Sequence, residues 1–175
     1  MFSNWAYVLI GDNNTGKTSF QRFLVQALCQ ESYKRLPKNT LKDIRHPRAP
    51  KRLQTLFTAN RSFQEMRATY LSPENYFKKF FCDADICILS SHSHGSSIKD
   101  VEALVGQLYR RSYNVAGVFW SNGFDEAARA ISALPWQERL WIENPIVQTE
   151  NAVAEQIKNR AYDFAEMLIM RAKSQ

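Results

Sequence analysis

The chain is 175 residues long, with 45% hydrophobic and 13% aromatic residues, six glycines, six prolines and a formal net charge of +6. A domain of ~150 residues buries roughly two thirds of the surface its unfolded chain exposes, so this composition supports a packed core and excludes a disordered, collagen-like or disulfide-scaffolded chain. The positive balance makes an anionic partner worth testing without identifying one.

Short apolar runs alternate with helical patterns along most of the sequence. The aromatic and β-branched run Trp5-Ala6-Tyr7-Val8-Leu9-Ile10 predicts a strand, Gly11 ends it, and a helical pattern follows over 17–31. Runs over 53–58, 84–90 and 114–120 read as further strands, with a weaker one over 139–143. Ser72-Pro73-Glu74 supplies an N-cap, a first-turn proline and an acid favoured by the helix dipole, opening a short helix to Phe81. Helices are also expected over 97–111, 125–134 and 150–172, the last with Val153, Ile157, Phe164 and Leu168 on one stripe. This alternation predicts an α/β domain spanning 1–175, with a mainly parallel sheet covered by helices on both faces and ligands bound at the carboxyl ends of the strands. The stretch 33–52 breaks the alternation: it holds Pro37, Pro47 and Pro50 and shows no clear period, as functional or disordered connections do.

No run approaches the ~20 apolar residues that span a bilayer. The start Met1-Phe2-Ser3-Asn4-Trp5 lacks the basic and apolar regions of a secretory signal, and Phe2 stands where N-myristoylation needs glycine. The end Ala172-Lys173-Ser174-Gln175 has no cysteine for prenylation. Cys29, Cys82 and Cys87 are odd in number and lack metal-ligand spacing, which fits reduced thiols. The expectation is a cytoplasmic protein without a membrane segment.

Gly11-Asp12-Asn13-Asn14-Thr15-Gly16-Lys17-Thr18 matches Gly-x-x-x-x-Gly-Lys-Ser/Thr between a predicted strand and a predicted helix, the context that gives this pattern its meaning. Glycines let the backbone wrap a phosphate chain, successive N–H groups and the helix N-terminus supply positive potential, Lys17 neutralises the β and γ phosphates, and the Thr18 hydroxyl can ligate Mg²⁺. Asp12, Asn13, Asn14, Thr15, Gly16, Lys17, Thr18 and Ser19 are the expected phosphate-binding residues. Reading the base needs a second element, and Asn122-Gly123-Phe124-Asp125 follows the fourth strand. A carboxylate there accepts hydrogen bonds from N1–H and the 2-amino group of guanine and repels the unprotonated N1 of adenine. The competing reading is that Asp125 caps the next helix.

With these residues in place the chain resembles the Ras-like small GTPases over most of its length. Val8-Leu9-Ile10-Gly11-Asp12 with Gly16-Lys17-Thr18 is similar to that family's phosphate loop. Phe80-Phe81-Cys82-Asp83-Ala84-Asp85-Ile86 is similar to the lead into its central strand, and Ser97-Ile98-Lys99-Asp100-Val101 to the following helix start. Asn122 and Asp125 stand in the places of the Asn-Lys-x-Asp guanine motif, Gly123 replacing the lysine. The resemblance implies a three-layer P-loop NTPase fold of small G-domain type, GTP/GDP and Mg²⁺ as ligands, Asn122 and Asp125 as guanine-binding residues, Thr18 and Thr40 as metal-binding residues, and a nucleotide-dependent interaction module. It also implies an Asp-x-x-Gly element after the second strand, where this chain has Phe57-Thr58-Ala59-Asn60-Arg61. Phe57 cannot hold a Mg²⁺ water shell and Arg61 cannot orient an attacking water as Gln would, so hydrolysis is expected to be weak or dependent on a partner. Asp83 and Asp85 precede their strand, at the wrong end of the sheet to replace the missing acid. No catalytic residue is singled out.

Residues 34–52 carry Lys34, Arg35, Lys38, Lys42, Arg45, Arg48, Lys51 and Arg52 against Asp43 alone, so nearly all the net charge belongs to one segment. Its position matches the family's switch and effector loop and implies a protein partner; nucleic acid lacks the interleaved aromatics that stack bases. His92 and His94, in Ser90-Ser91-His92-Ser93-His94-Gly95, read as a solvated loop on the nucleotide side, two histidines without a third ligand being a poor zinc signal. The alternative for the whole chain is a P-loop ATPase or kinase using the same phosphate loop, with Asn122 and Asp125 as a helix cap.

Overall fold

The computed structural model describes residues 4–174. Met1–Ser3, on which the reading of targeting signals rests, and Gln175 lie outside the described residues. The elements in order are β1 (Trp5–Ile10), α1 (Lys17–Cys29), β2 (Asn39–Asp43), β3 (Thr55–Ala59), α2 (Arg67–Tyr70), α3 (Pro73–Lys79), β4 (Ile86–Ser91), α4 (Ile98–Arg110), β5 (Asn114–Trp120), α5 (Glu126–Ser132), β6 (Glu138–Ile142) and α6 (Glu150–Ser174).

They build one six-stranded sheet in the order β2-β3-β4-β1-β5-β6. Every pairing is parallel except β2 with β3. β1 is apolar throughout because it is buried on both faces between β4 and β5, the condition under which a parallel strand reads as a continuous hydrophobic run. Its side chains alternate between two cores. Tyr7 and Leu9 join Phe20, Leu24 and Leu28 of α1 and Ile157, Ala161, Phe164 and Leu168 of α6 on one face. Ala6, Val8 and Ile10 join Tyr76 of α3, Val101, Leu104 and Leu108 of α4 and Ile131 of α5 on the other. Helices therefore cover both faces, as the alternation predicts. Val153 does not extend the α6 stripe and is exposed. Cys29 and Cys87 are buried free thiols and Cys82 an exposed one.

The helix starts follow local chemistry. Ser72 caps α3 by accepting from the Asn75 N–H at 3.1 Å, with Pro73 in the first turn, and Asp125 caps α5 by accepting from the Ala128 N–H at 2.7 Å. Asp85 is structural at the amino ends of the strands, its Oδ2 accepting from the backbone N–H groups of Gln54 at 2.7 Å and Thr55 at 2.9 Å.

The stretch 33–52 differs from its expectation as an aperiodic loop. It contains β2, an edge strand running antiparallel to β3 with Leu41 opposite Phe57, whose sequence Asn-Thr-Leu-Lys-Asp is polar because one side faces solvent. Part of its charge is engaged by partners within the fold. Lys42 pairs with Glu31 at 2.7 Å over the Tyr33 ring, Arg48 pairs with Glu166, and Arg52 donates to the Ala172 carbonyl. Among the described residues no helix is long and apolar enough to cross a membrane.

Phe57 is fully buried and packs edge-to-face on Phe81 at a centroid distance of 5.1 Å. Phe57→Ala should therefore cost about 3–5 kcal/mol in urea denaturation, and Phe57→Asp more, because it buries an unpaired carboxylate. A cost near zero for either would show that this position is not core.

Candidate functional site

The five strands that run parallel bring their carboxyl ends to one edge, so the loops that follow them gather there. The loop after β1 is the Gly11–Lys17 turn. Asn14 and Gly16 both take left-handed conformations, with φ of 64° and 98°. At Gly16 the φ disfavours a side chain, and a Cβ there would lie 2.7 Å from Cδ1 of Ile157 on α6, so that the isoleucine would have to shift. The Thr15 hydroxyl donates to the Asp12 carbonyl at 2.9 Å and the Gly11 N–H to the Ser91 carbonyl of β4 at 3.1 Å.

A pocket of about 210 Å³ lies over this loop, lined by Asn13, Asn14, Thr15, Gly16, Lys17, Thr18 and Ser19 with Asn60, Glu65 and His92. Seven of the eight expected phosphate-binding residues are thus brought together. Asp12 is turned elsewhere, its Oδ1 accepting from the Ser93 N–H at 3.2 Å and lying 3.0 Å from His94 Nδ1. The Lys17 ammonium donates to the carbonyls of Gly11 at 2.5 Å and Asp12 at 2.7 Å and to the Thr15 hydroxyl at 3.2 Å. Burial pushes its pKa down to about 8, against the opposing pull of Glu65 and Asp12.

A second cleft of about 260 Å³ adjoins the pocket through Thr18 and Asn60 and is walled by Arg35, Leu36, Pro37, Lys38 and Arg61. The Asn60 N–H donates to the Lys38 carbonyl at 3.2 Å and its Nδ2 to the Leu36 carbonyl at 2.9 Å, pinning the 36–38 segment to the end of β3. β4 separates β3 from β1, placing Asn60 two strands, roughly 10 Å, from the phosphate-loop strand at the level of the sheet. Thr40 lies in β2 opposite Thr58 and lines neither opening. Asn122 is exposed on a 3₁₀ turn over Ser121–Gly123. Asp125 is exposed, caps α5, and borders a separate cleft with Asp12 and His94. Neither lines the phosphate-loop pocket.

Three contributors escape sequence reasoning. Asn144, in the β6–α6 connection, is buried; its Nδ2 donates to the Thr15 carbonyl at 3.1 Å, its N–H to Ser121 Oγ at 2.6 Å, and its Oδ1 accepts from Gln156 at 2.7 Å. Gly123 is not merely a missing lysine: a Cβ there would come within 2.7 Å of Thr15 Cγ2, so the threonine methyl occupies that space. Glu65 brings a carboxylate to the pocket, accepting from the Ser62 N–H at 2.9 Å. Burial raises its pKa, but the Ser62 hydrogen bonds with the Arg61 and His92 charges outweigh that and leave it below the usual value. His92 is 5% exposed and so is no solvated loop residue; burial and then the Lys17 charge lower its pKa and favour the neutral imidazole. His94 remains exposed.

No protein-family model matches the chain, and a search of curated proteins finds no matching relative. Function is therefore read from the site itself.

Lys17 supplies a pH test. Below about pH 8 both folded and unfolded chains hold its proton and the folded state bears the whole cost of burial; that cost is relieved as pH rises from about 8 toward the unfolded value of ~10.4. The stability of the wild type relative to Lys17→Met should accordingly rise over this window in denaturant titrations. Acylation of Lys17 followed by mass spectrometry should show a midpoint near 8 in the ligand-free protein. An ordinary lysine midpoint would contradict the burial argument.

Proposed function

We propose that this chain binds a purine nucleoside triphosphate, with Mg²⁺, on its phosphate loop and hydrolyses it slowly, serving as a nucleotide-dependent interaction module of P-loop NTPase type. The observation that carries the reading is the pocket over Asn13–Ser19 at the N-terminus of the 13-residue α1, on the carboxyl edge of a parallel sheet. Main-chain carbonyls hold Lys17 at the loop, and a phosphate chain offers the same ammonium a charged acceptor in their place. Thr18, exposed at the junction of the two openings, has the hydroxyl for Mg²⁺, which would neutralise charge on the phosphates. Arg35, Lys38 and Arg61 make the adjoining cleft positive, which suits the outer phosphates or an acidic partner.

Slow hydrolysis follows from what surrounds the pocket. Phe57 belongs to the core, and Arg61 pairs with Glu65 at 3.2 Å, so neither positions a water or a metal. The Ras-like reading adds a preference for guanine through Asn122 and Asp125. An ATP-binding reading is favoured by one observation: Oδ1 of Asp125 already accepts from the Ala128 N–H as a helix cap. With that oxygen engaged, discrimination between the two purines should be small.

Calorimetric titration of nucleotide-free protein with GTP, GDP and ATP in Mg²⁺ tests this. Binding should be found, with GTP and ATP within about tenfold of each other, and Lys17→Ala should weaken it by about 10- to 100-fold through loss of charge-assisted contacts. Absence of binding to all three nucleotides would refute the proposal, and a large GTP preference would return Asp125 to the base. Phosphate release should stay near background; rapid turnover abolished by Lys17→Ala would point to Glu65 as a base.

A further inference from the structure

Beside the phosphate-loop pocket, β1 and β4 end in register, Ile10 opposite Ser91. The residues just past those ends are Asp12 on one strand and His92 and His94 on the other, so the sheet itself brings an acid and two imidazoles together. Asp12 Oδ1 lies 3.0 Å from His94 Nδ1 and 3.7 Å from His92 Nδ1, and one ligand atom from each of the three residues lies within 4.8 Å of the others. Ligand atoms around a tetrahedral zinc, at ~2.0–2.1 Å from the metal, are about 3.3 Å apart. The cluster needs only a modest closure to reach that spacing.

A second observation points to a ligand. His92 is 5% exposed, and its Nδ1, the nitrogen facing Asp12, is buried without a hydrogen-bond partner among the described residues. Buried imidazole nitrogens are ordinarily satisfied, so an orphaned lone pair beside a carboxylate and a second imidazole is the arrangement that a bound cation completes. The Ser93 N–H donates to Asp12 Oδ1 at 3.2 Å, and the Glu65 carboxylate lies 3.9 Å from His92 Nε2, beyond hydrogen-bond reach. The neighbouring cation, Lys17, donates to the carbonyls of Gly11 and Asp12 and leaves the Asp12 carboxylate to the histidines.

We infer that Asp12, His92 and His94 form a binding site for a borderline divalent transition-metal ion, zinc above all, at the shared end of β1 and β4. Two imidazoles and one carboxylate suit Zn²⁺, whereas Mg²⁺ prefers an all-oxygen shell. Three protein ligands leave one tetrahedral position for water or an exogenous group. The site does not depend on nucleotide binding, so it stands or falls separately from the phosphate-loop proposal.

The test is calorimetric titration of the untagged, metal-stripped full chain with ZnCl₂ in the absence of nucleotide, paired with cobalt(II) absorption spectroscopy. One zinc per chain should bind, unaffected by excess Mg²⁺, and the cobalt derivative should show visible ligand-field bands without a thiolate charge-transfer band, which separates this site from Cys29, Cys82 and Cys87. His94→Ala, at a half-exposed side chain, and Asp12→Asn should each weaken zinc by at least about tenfold while leaving the folded circular dichroism spectrum intact. Absence of zinc binding, a thiolate band, or equal affinity in the wild type and both variants would overturn the assignment.

Discussion

The Gly11–Lys17 loop owes its shape to a brace from the far end of the chain. Gly16 holds a left-handed φ of 98° at the start of α1, and Ile157 of α6 lies against it so closely that even a methyl group would collide. Asn144 then ties the Thr15 carbonyl to the β6–α6 connection, and Gln156 of α6 holds Asn144 in turn. Glycine takes such a φ without strain, so the surroundings select this loop conformation rather than compensate for it. Here the determinants are the packing of α1 on α6 and one buried amide, so the most local of motifs depends on contacts well over a hundred residues apart in sequence.

Within that frame, electrostatics is arranged around Lys17. Its ammonium is desolvated and satisfied by main-chain carbonyls. The basic segment that gives the chain its +6 charge is less available than its sequence suggests. Lys42, Arg48 and Arg52 close β2 and its flanking turns onto α1 and α6, which is structural work. Arg35 and Lys38, with Arg61, are the ones that wall the cleft beside the phosphate loop. Within the segment, then, Lys42, Arg48 and Arg52 have partners in the fold, and Arg35 and Lys38 face the cleft.

The fold was legible where burial leaves a mark on residue choice. β1, β4 and β5 are covered on both faces and read as largely apolar runs, and Ser72 and Asp125 announce their helices through capping chemistry. β2 left no such mark, because an edge strand with one wet side is written in the same polar residues as a loop. The motif at Gly11–Thr18 was legible because its chemistry is contiguous. Asn144, Glu65 and the meeting of Asp12 with His92 and His94 were not, since each depends on which strand lies beside which, and apolar pattern carries no strand order. Asp125 stayed ambiguous for a different reason: a helix cap and a base-reading carboxylate call for the same residue, and only the 2.7 Å contact with the Ala128 N–H distinguishes what it does in this state.

Strand order also sets what stands around the end of β3. With β4 inserted between β3 and β1, the strand beside the Gly11–Lys17 loop is β4, and Asn60 at the end of β3 reaches the pocket from one strand further out. Position 57 then faces the core side of the sheet, where Phe81 closes over it, and an acid there would be buried without a partner. Phe57 is thus the residue the packing requires. Glu65, which does reach the pocket, is committed to Ser62 and Arg61 and held ionised. How the sheet is ordered and covered thus leaves no place for a carboxylate at position 57, where it would be buried at the expense of stability.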